Sequence, residues 1–281
     1  MTEQLILCVS AVLAGIINSV AGGGTLLTFP SLTYVLGPSE DAAVIANATS
    51  TIALFPGSLA ALWGYRRELK GTQKSLLPLL IPSFLGGAIG AWLVVSYPAK
   101  TFQLLVPWLI LLATLLFMLQ PVISRWTGIG LPHEMPTLRT RIGIVAFQFL
   151  VALYGGYFGA GIGILMLSSL ALMGDSDIHR MNAMKSLLAS LINGTSVALF
   201  VWQQKVNWPL ALPMIVAGII GGFAGATLAR KLNKNHIRYG VIVIGFVVSA
   251  TYFVRTYGCV TSPPVGHVSH VPVFTAIHTN W

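Results

Sequence analysis

The chain has 281 residues, of which 55% are hydrophobic and only 8% charged, with a mean hydropathy of +0.81; a soluble domain carries about 25% charged residues, so a water-soluble globular fold is excluded. A formal charge of +9 does not indicate nucleic acid, because the basic residues lie in short links between apolar segments and not along one amphipathic face. Cys8, in an apolar segment, and Cys259, in the tail, support neither a disulfide framework nor a cysteine metal site.

Apolar runs separated by charged or Pro/Gly-rich links predict eight helical segments near 4–36, 40–65, 75–97, 100–124, 140–173, 177–203, 207–229 and 237–257. Such lengths suit a hydrocarbon core of about 30 Å. No Lys or Arg precedes Arg66, so the first segment lacks the basic flank of a cleavable signal peptide and is expected to be retained. Its middle reads "AGGG", three glycines where a spanning helix should be strongest, with Asn18, Ser19 and Thr25 beside them. The second segment opens "EDAAVIANATST" and puts Asn47, Ser50 and Thr51 at helical spacings of three and four. The third carries "LGGAIGA", a small-residue stripe suited to close helix packing. After the polar link "RWTGIGLPHEMPTLRTR" the fifth segment is broken again, at "GAGIG". The sixth holds Asn182, Lys185 and Ser186, then Asn193, Thr195 and Ser196, for which interhelical hydrogen bonding is expected. The seventh repeats the small-residue stripe as "IGGFAGA", and a polar tail follows the eighth, with His267, His270 and His278.

The halves match at a shift of 135 residues: Pro78 with Pro213, Gly86 and Gly87 with Gly221 and Gly222, Asn47 with Asn182, and Ser50 with Lys185. At a shift of 137, Gly22, Gly24 and Gly37 meet Gly159, Gly161 and Gly174. The chain therefore reads as a duplicated four-segment unit. If all eight segments cross, the basic links 66–74 and 229–238 fall on opposite sides, against the cytoplasmic preference of Lys and Arg. If segments one and five are re-entrant hairpins, twelve basic residues face the cytoplasm and only Lys100, Lys205 and Arg255 face outward. The hairpin legs, 4–20, 25–36, 142–158 and 163–173, span about 16–26 Å and are mostly too short to cross. The expected fold is an all-α polytopic membrane protein of two inverted four-segment repeats. Each repeat has a glycine-broken re-entrant helical hairpin followed by three transmembrane helices. The first repeat covers 1–124, a cytoplasmic linker 125–139, the second repeat 140–257 and the tail 258–281.

Backbone that leaves a helix at membrane depth persists only where protein or an aqueous cavity satisfies it, so both breaks mark a candidate site. The half-helices that follow present amide groups suited to an anion. The substrate-binding candidates are Asn18, Ser19, Gly22, Gly23, Gly24 and Thr25 at the first break, Asn47, Ser50 and Thr51 in the second segment, Gly159 and Gly161 at the second break, and Asn182, Lys185 and Ser186 in the sixth segment. Lys185 is a fixed cation for an anionic substrate, since ionisable groups at depth normally face a pathway; snorkelling to the interface is its competing role, as close packing is for the glycines. All seven Asp and Glu residues lie near termini or links, which argues against a cation site or a carboxylate proton relay. No nucleophile elbow, zinc-protease pattern or phosphate-binding loop is present, so neither an enzyme nor a cofactor or metal site is expected.

"GIINSVAGGGTLLTFPSL" followed by "ANATSTIALFPGSLAALWGYRREL" resembles the TauE/SafE family of membrane permeases, and "GGYFGAGIGILML" with "MNAMKSLLASLINGTSVALF" is similar to the family's second repeat. The resemblance covers about residues 5–255. It implies transport of sulfur-containing anions, including sulfite, sulfoacetate and other organosulfonates and thiosulfate, across a bacterial cytoplasmic membrane. It places the site on Asn18, Gly22 to Gly24, Asn47, Gly159, Gly161, Asn182 and Lys185, with Gly155 in place of Asn18 in the second half. The expected activity is secondary transport, with sulfite export first and the two hairpin tips meeting near the midplane. One hairpin-containing unit would move against a scaffold of the "LGGAIGA" and "IGGFAGA" helices, which also offer a homodimer seam. The expected partners are thus the small anionic substrate, the lipid bilayer and a second copy of the chain. The competing functions are an anion channel and an intramembrane enzyme.

Overall fold

The structure, a computed structural model, describes residues 2–20, 22–69, 72–127, 137–175, 177–228 and 234–258. Lys70, Arg230, Lys231, the link 128–136 and the tail from Cys259, with its three histidines, lie outside the described residues. Those described form helices and no strands: α1 (Thr2–Val20), α2 (Thr25–Leu36), α3 (Ala42–Gly64), α4 (Gln73–Ser96), α5 (Ala99–Trp126), α6 (Leu138–Tyr157), α7 (Ile162–Leu172), α8 (Ile178–Trp202), α9 (Trp208–Leu228) and α10 (Lys234–Tyr257). Six of the eight expected segments are single helices, and the first and fifth divide at their glycines. Side chains set two of the starts. Asp177 accepts from the His179 and Arg180 N–H groups at the head of α8, and Thr137 accepts from the Thr140 N–H at the head of α6.

Eight of these helices are long and apolar enough to cross a membrane. Leu105, Trp92, Ile220 and Val247, among many large apolar side chains, remain exposed on them, as a lipid-facing surface requires. The molecule is a multi-pass membrane protein. One expectation is corrected here. With 19 and 20 residues, α1 and α6 reach about 28–30 Å and are not short legs; only α2 and α7, with 12 and 11 residues, are. The extra residues come from the N-terminal ends, Thr2–Glu3 and Leu138–Arg141, where polar side chains continue helices that the apolar pattern alone begins later.

Corresponding helices make corresponding contacts, but across the halves. α1 packs along α9 and α6 along α4, while α3 packs on the first of these partners, α9, and α8 on the second, α4. α3 also meets α8, and α5 meets α10. The small-residue stripes make these approaches close. A methyl on Gly221 would lie 2.1 Å from the Val12 carbonyl oxygen, and one on Gly90 2.1 Å from that of Leu153. The glycines of "LGGAIGA" and "IGGFAGA" are therefore packed inside the chain, against the broken helix of the other half. Thr195 and Ser196 also depart from expectation: both hydroxyls donate to the Ile192 carbonyl of their own helix.

Candidate functional site

The two glycine breaks touch. The Gly161 N–H donates to the Gly22 carbonyl at 3.1 Å. Gly22 and Gly161 have φ of +77° and +78°, the left-handed region that costs other residues about 1–2 kcal/mol. A methyl on Gly22 would in addition lie 2.8 Å from the Gly163 Cα. Crossing backbones at this distance need glycine on both strands of the crossing.

Beside this crossing lies a cavity of about 30 Å³, bounded by the end of α1, the starts of α2 and α7, and facing stripes of α3 and α8. Eight of the predicted residues line it: Asn18, Ser19, Gly22, Thr25, Thr51, Gly159, Lys185 and Ser186. Lys185 is only 2% exposed and its Nζ donates to the Ser19 carbonyl at 3.3 Å. Asn18 donates its amide to the Ser58 hydroxyl at 3.0 Å. The Thr51 and Ser186 hydroxyls donate to the Asn47 and Asn182 carbonyls one turn back, with their oxygens left to accept. Lys185 is the only charged residue in the lining.

The other six predicted residues do not line the cavity. Asn47 is buried beyond it, and its amide donates to the Tyr157 carbonyl at the end of α6. Ser50 is turned toward α2, where it shares a hydrogen bond with Thr28. Asn182 donates to Ile178 within α8. Gly23 faces Phe117, Gly24 the Ala14 carbonyl, and Gly161 the Ala113 backbone. The polar residues that sequence reading missed are Ser58 and, as a lining group, Asn193. They correspond to each other at the 135-residue shift, a signal present in the repeat.

Two lining groups have no hydrogen-bond partner among the described residues: the Thr25 hydroxyl and the Asn193 amide both face the cavity uncommitted. Together with Lys185 they give a lining rich in donors. In the low dielectric of a buried site, an ammonium and aligned donors hold an anion far better than they would in water. No group of three or more potential metal ligands occurs among the described residues.

The family model described as "Sulfite exporter TauE/SafE" matches residues 7–252. A "Probable membrane transporter protein" of Haemophilus influenzae is 28% identical over 251 residues, covering 88% of this chain and 92% of the relative. The "Probable membrane transporter protein YfcA" of Escherichia coli K12 is 27% identical over 250 residues, 88% of each chain. The "Probable membrane transporter protein YunE" of Bacillus subtilis is 26% identical over 262 residues, 86% of this chain and 95% of the relative.

Proposed function

This chain belongs to the sulfite exporter TauE/SafE family of membrane transporters, and on that premise we propose that it is a secondary transporter that exports sulfite, with thiosulfate and organosulfonates such as sulfoacetate as further substrates, across a bacterial cytoplasmic membrane. The observation that carries the reading is the cavity at the glycine crossing, where Lys185 is the only charge and Thr25 and Asn193 keep uncommitted donors. A buried ammonium in a lining that includes no carboxylate favours a bound anion. The small volume favours the compact oxyanion over longer sulfonates.

Re-entry of α1–α2 and α6–α7, and inversion of the two halves, are part of the proposal. Helix direction supports them. Val12 lies at Gly221 and Ile16 at Gly225, so α1 runs parallel to α9. The start of α9 is tied to the start of α3 by the Lys205–Asp41 ion pair, 2.9 Å, next to where α2 ends. The same argument applies to α6 and α4, since Phe149 lies at Gly86 and Leu153 at Gly90. Charge agrees: Lys100 and Arg255 line a cavity with Glu40, beside the Lys205–Asp41 pair, so the three basic residues assigned outward gather at one end of the bundle.

Counterflow in proteoliposomes tests the activity. Vesicles loaded with sulfite should accumulate labelled sulfite transiently and saturably, and Lys185→Gln should abolish this. Flux that never saturates and shows no exchange would instead identify an anion channel.

A further inference from the structure

A second cavity, about 850 Å³, opens where α2 and α10 end and α3 and α5 begin. Its lining carries Lys100 and Arg255 against a single carboxylate, Glu40. Neither cation is in an ion pair among the described residues, so the compartment attracts anions. Its floor is the Thr33–Tyr252 pair, whose hydroxyls are hydrogen-bonded and join α2 to α10.

Beneath that floor lies a layer of rings. Phe29 is 5.9 Å from Tyr252, centroid to centroid, and 5.4 Å from Phe158, which it meets edge to face at 75°. Phe102 closes the layer laterally, 6.5 Å from both phenylalanines and 5.4 Å from Tyr157. Phe29, Phe102 and Phe158 are at most 2% exposed. Phe158 itself lines the small cavity, and Tyr252 lines the large one. Two rings, Phe29 and Phe158, thus span the distance between the compartments.

We infer that the large cavity is a waiting compartment on the same anion path as the small one, and that Phe29 and Phe158 are the closed gate between them; this rests on reading the small cavity as an anion site. An apolar layer blocks an anion twice over. It removes hydration without offering donors, and ring faces carry negative electrostatic potential. The gate residues belong to α2 and to the second break, the short elements that follow and precede a glycine turn. Opening therefore needs α2 to move against the second break, with the Thr33–Tyr252 bond released.

Thiol accessibility tests this without reference to sulfite. In the full chain with Cys8→Ser and Cys259→Ser, Thr256→Cys reports on the large cavity and Ser58→Cys on the small one. The negatively charged reagent 2-sulfonatoethyl methanethiosulfonate is added to membrane vesicles of the orientation in which Thr256→Cys reacts. Ser58→Cys should react slowly from that face and about tenfold or more faster once Phe29→Ala is added, with Thr256→Cys unchanged. Phe29→Leu, which keeps more of the packing, should give an intermediate rate. Phe117→Ala, an equal loss of ring at a buried position against Gly23, should give no acceleration. A rate at Ser58→Cys that already equals that at Thr256→Cys overturns the gate, as does no response to Phe29→Ala, or an equal response to Phe117→Ala. Absence of sulfite exchange alongside the expected accessibility pattern would remove the substrate assignment and leave the gate standing.

Discussion

At the end of α6 the Tyr157 carbonyl accepts from the Asn47 amide, and at the end of α1 the Ser19 carbonyl accepts from the Lys185 ammonium. Both donors come from the opposite half, one turn apart in the repeat, and both satisfy a carbonyl that a broken helix leaves without a partner. One is neutral and lies outside the cavity, whereas the other is charged and lines it. Flanking residues diverge in the same sense. The first break offers Asn18, Ser19 and Thr25 to the cavity, and the second offers Phe158, Ile162 and Gly163. The two halves share their glycine turns and their helix contacts, and they differ at the residues that line the cavity.

The largest expected effect comes from disturbing what the breaks share. Gly22→Ala adds the left-handed penalty of about 1–2 kcal/mol to an overlap with Gly163, and should prevent recovery of folded protein from detergent. Gly37→Ala has a similar φ, +69°, with no atom within 4 Å of the added methyl, and should cost about 1–2 kcal/mol alone, read as a lowered Tm. Next comes the difference between the two donors. Lys185→Gln keeps a donor for Ser19 but removes the charge, and should weaken sulfite binding by about ten- to hundredfold in calorimetry, with Tm little changed. A fall in Tm with binding intact would make Lys185 a helix cap only. Asn47→Ala should do the reverse, lowering stability by about 1–3 kcal/mol through the stranded Tyr157 carbonyl, with affinity retained in the folded fraction. Asn193→Ala, the loss of one uncommitted donor, should weaken binding about threefold. The smallest effect belongs to Lys205→Met: the ion pair with Asp41 is partly exposed, 32% and 47%, and its loss should change stability by under about 1 kcal/mol.

Much of the fold was legible because membrane burial writes itself as uninterrupted apolar length, and because three glycines in such a run have few other uses. The contact between the breaks followed from the requirement that exposed backbone find a partner. What periodicity alone did not resolve was how far along a stripe the cavity extends. Asn47, Thr51, Leu54 and Ser58 share one face of α3, yet only the last three reach the cavity, and Asn47 lies a turn beyond. Ser50 lies on the edge of that face, about 100° around the helix from Thr51, and finds Thr28 instead. The length of α1 and α6 was misjudged because their first turns are polar, which hides helix from a hydropathy reading. The crossing of the halves, α1 on α9 and α6 on α4, has no local signature in either partner.

That crossing sets a schedule for synthesis. α1 leaves the ribosome roughly 200 residues before α9, the helix it packs against. At translation rates of about 5–20 residues per second, it waits on the order of 10–40 s with its glycine face uncovered. The newborn first half is thus an unfinished object in the bilayer, dependent on lipid or on insertion machinery until its complement arrives. Two fragments divided in the 128–136 link should each be degraded when expressed alone and recovered when expressed together.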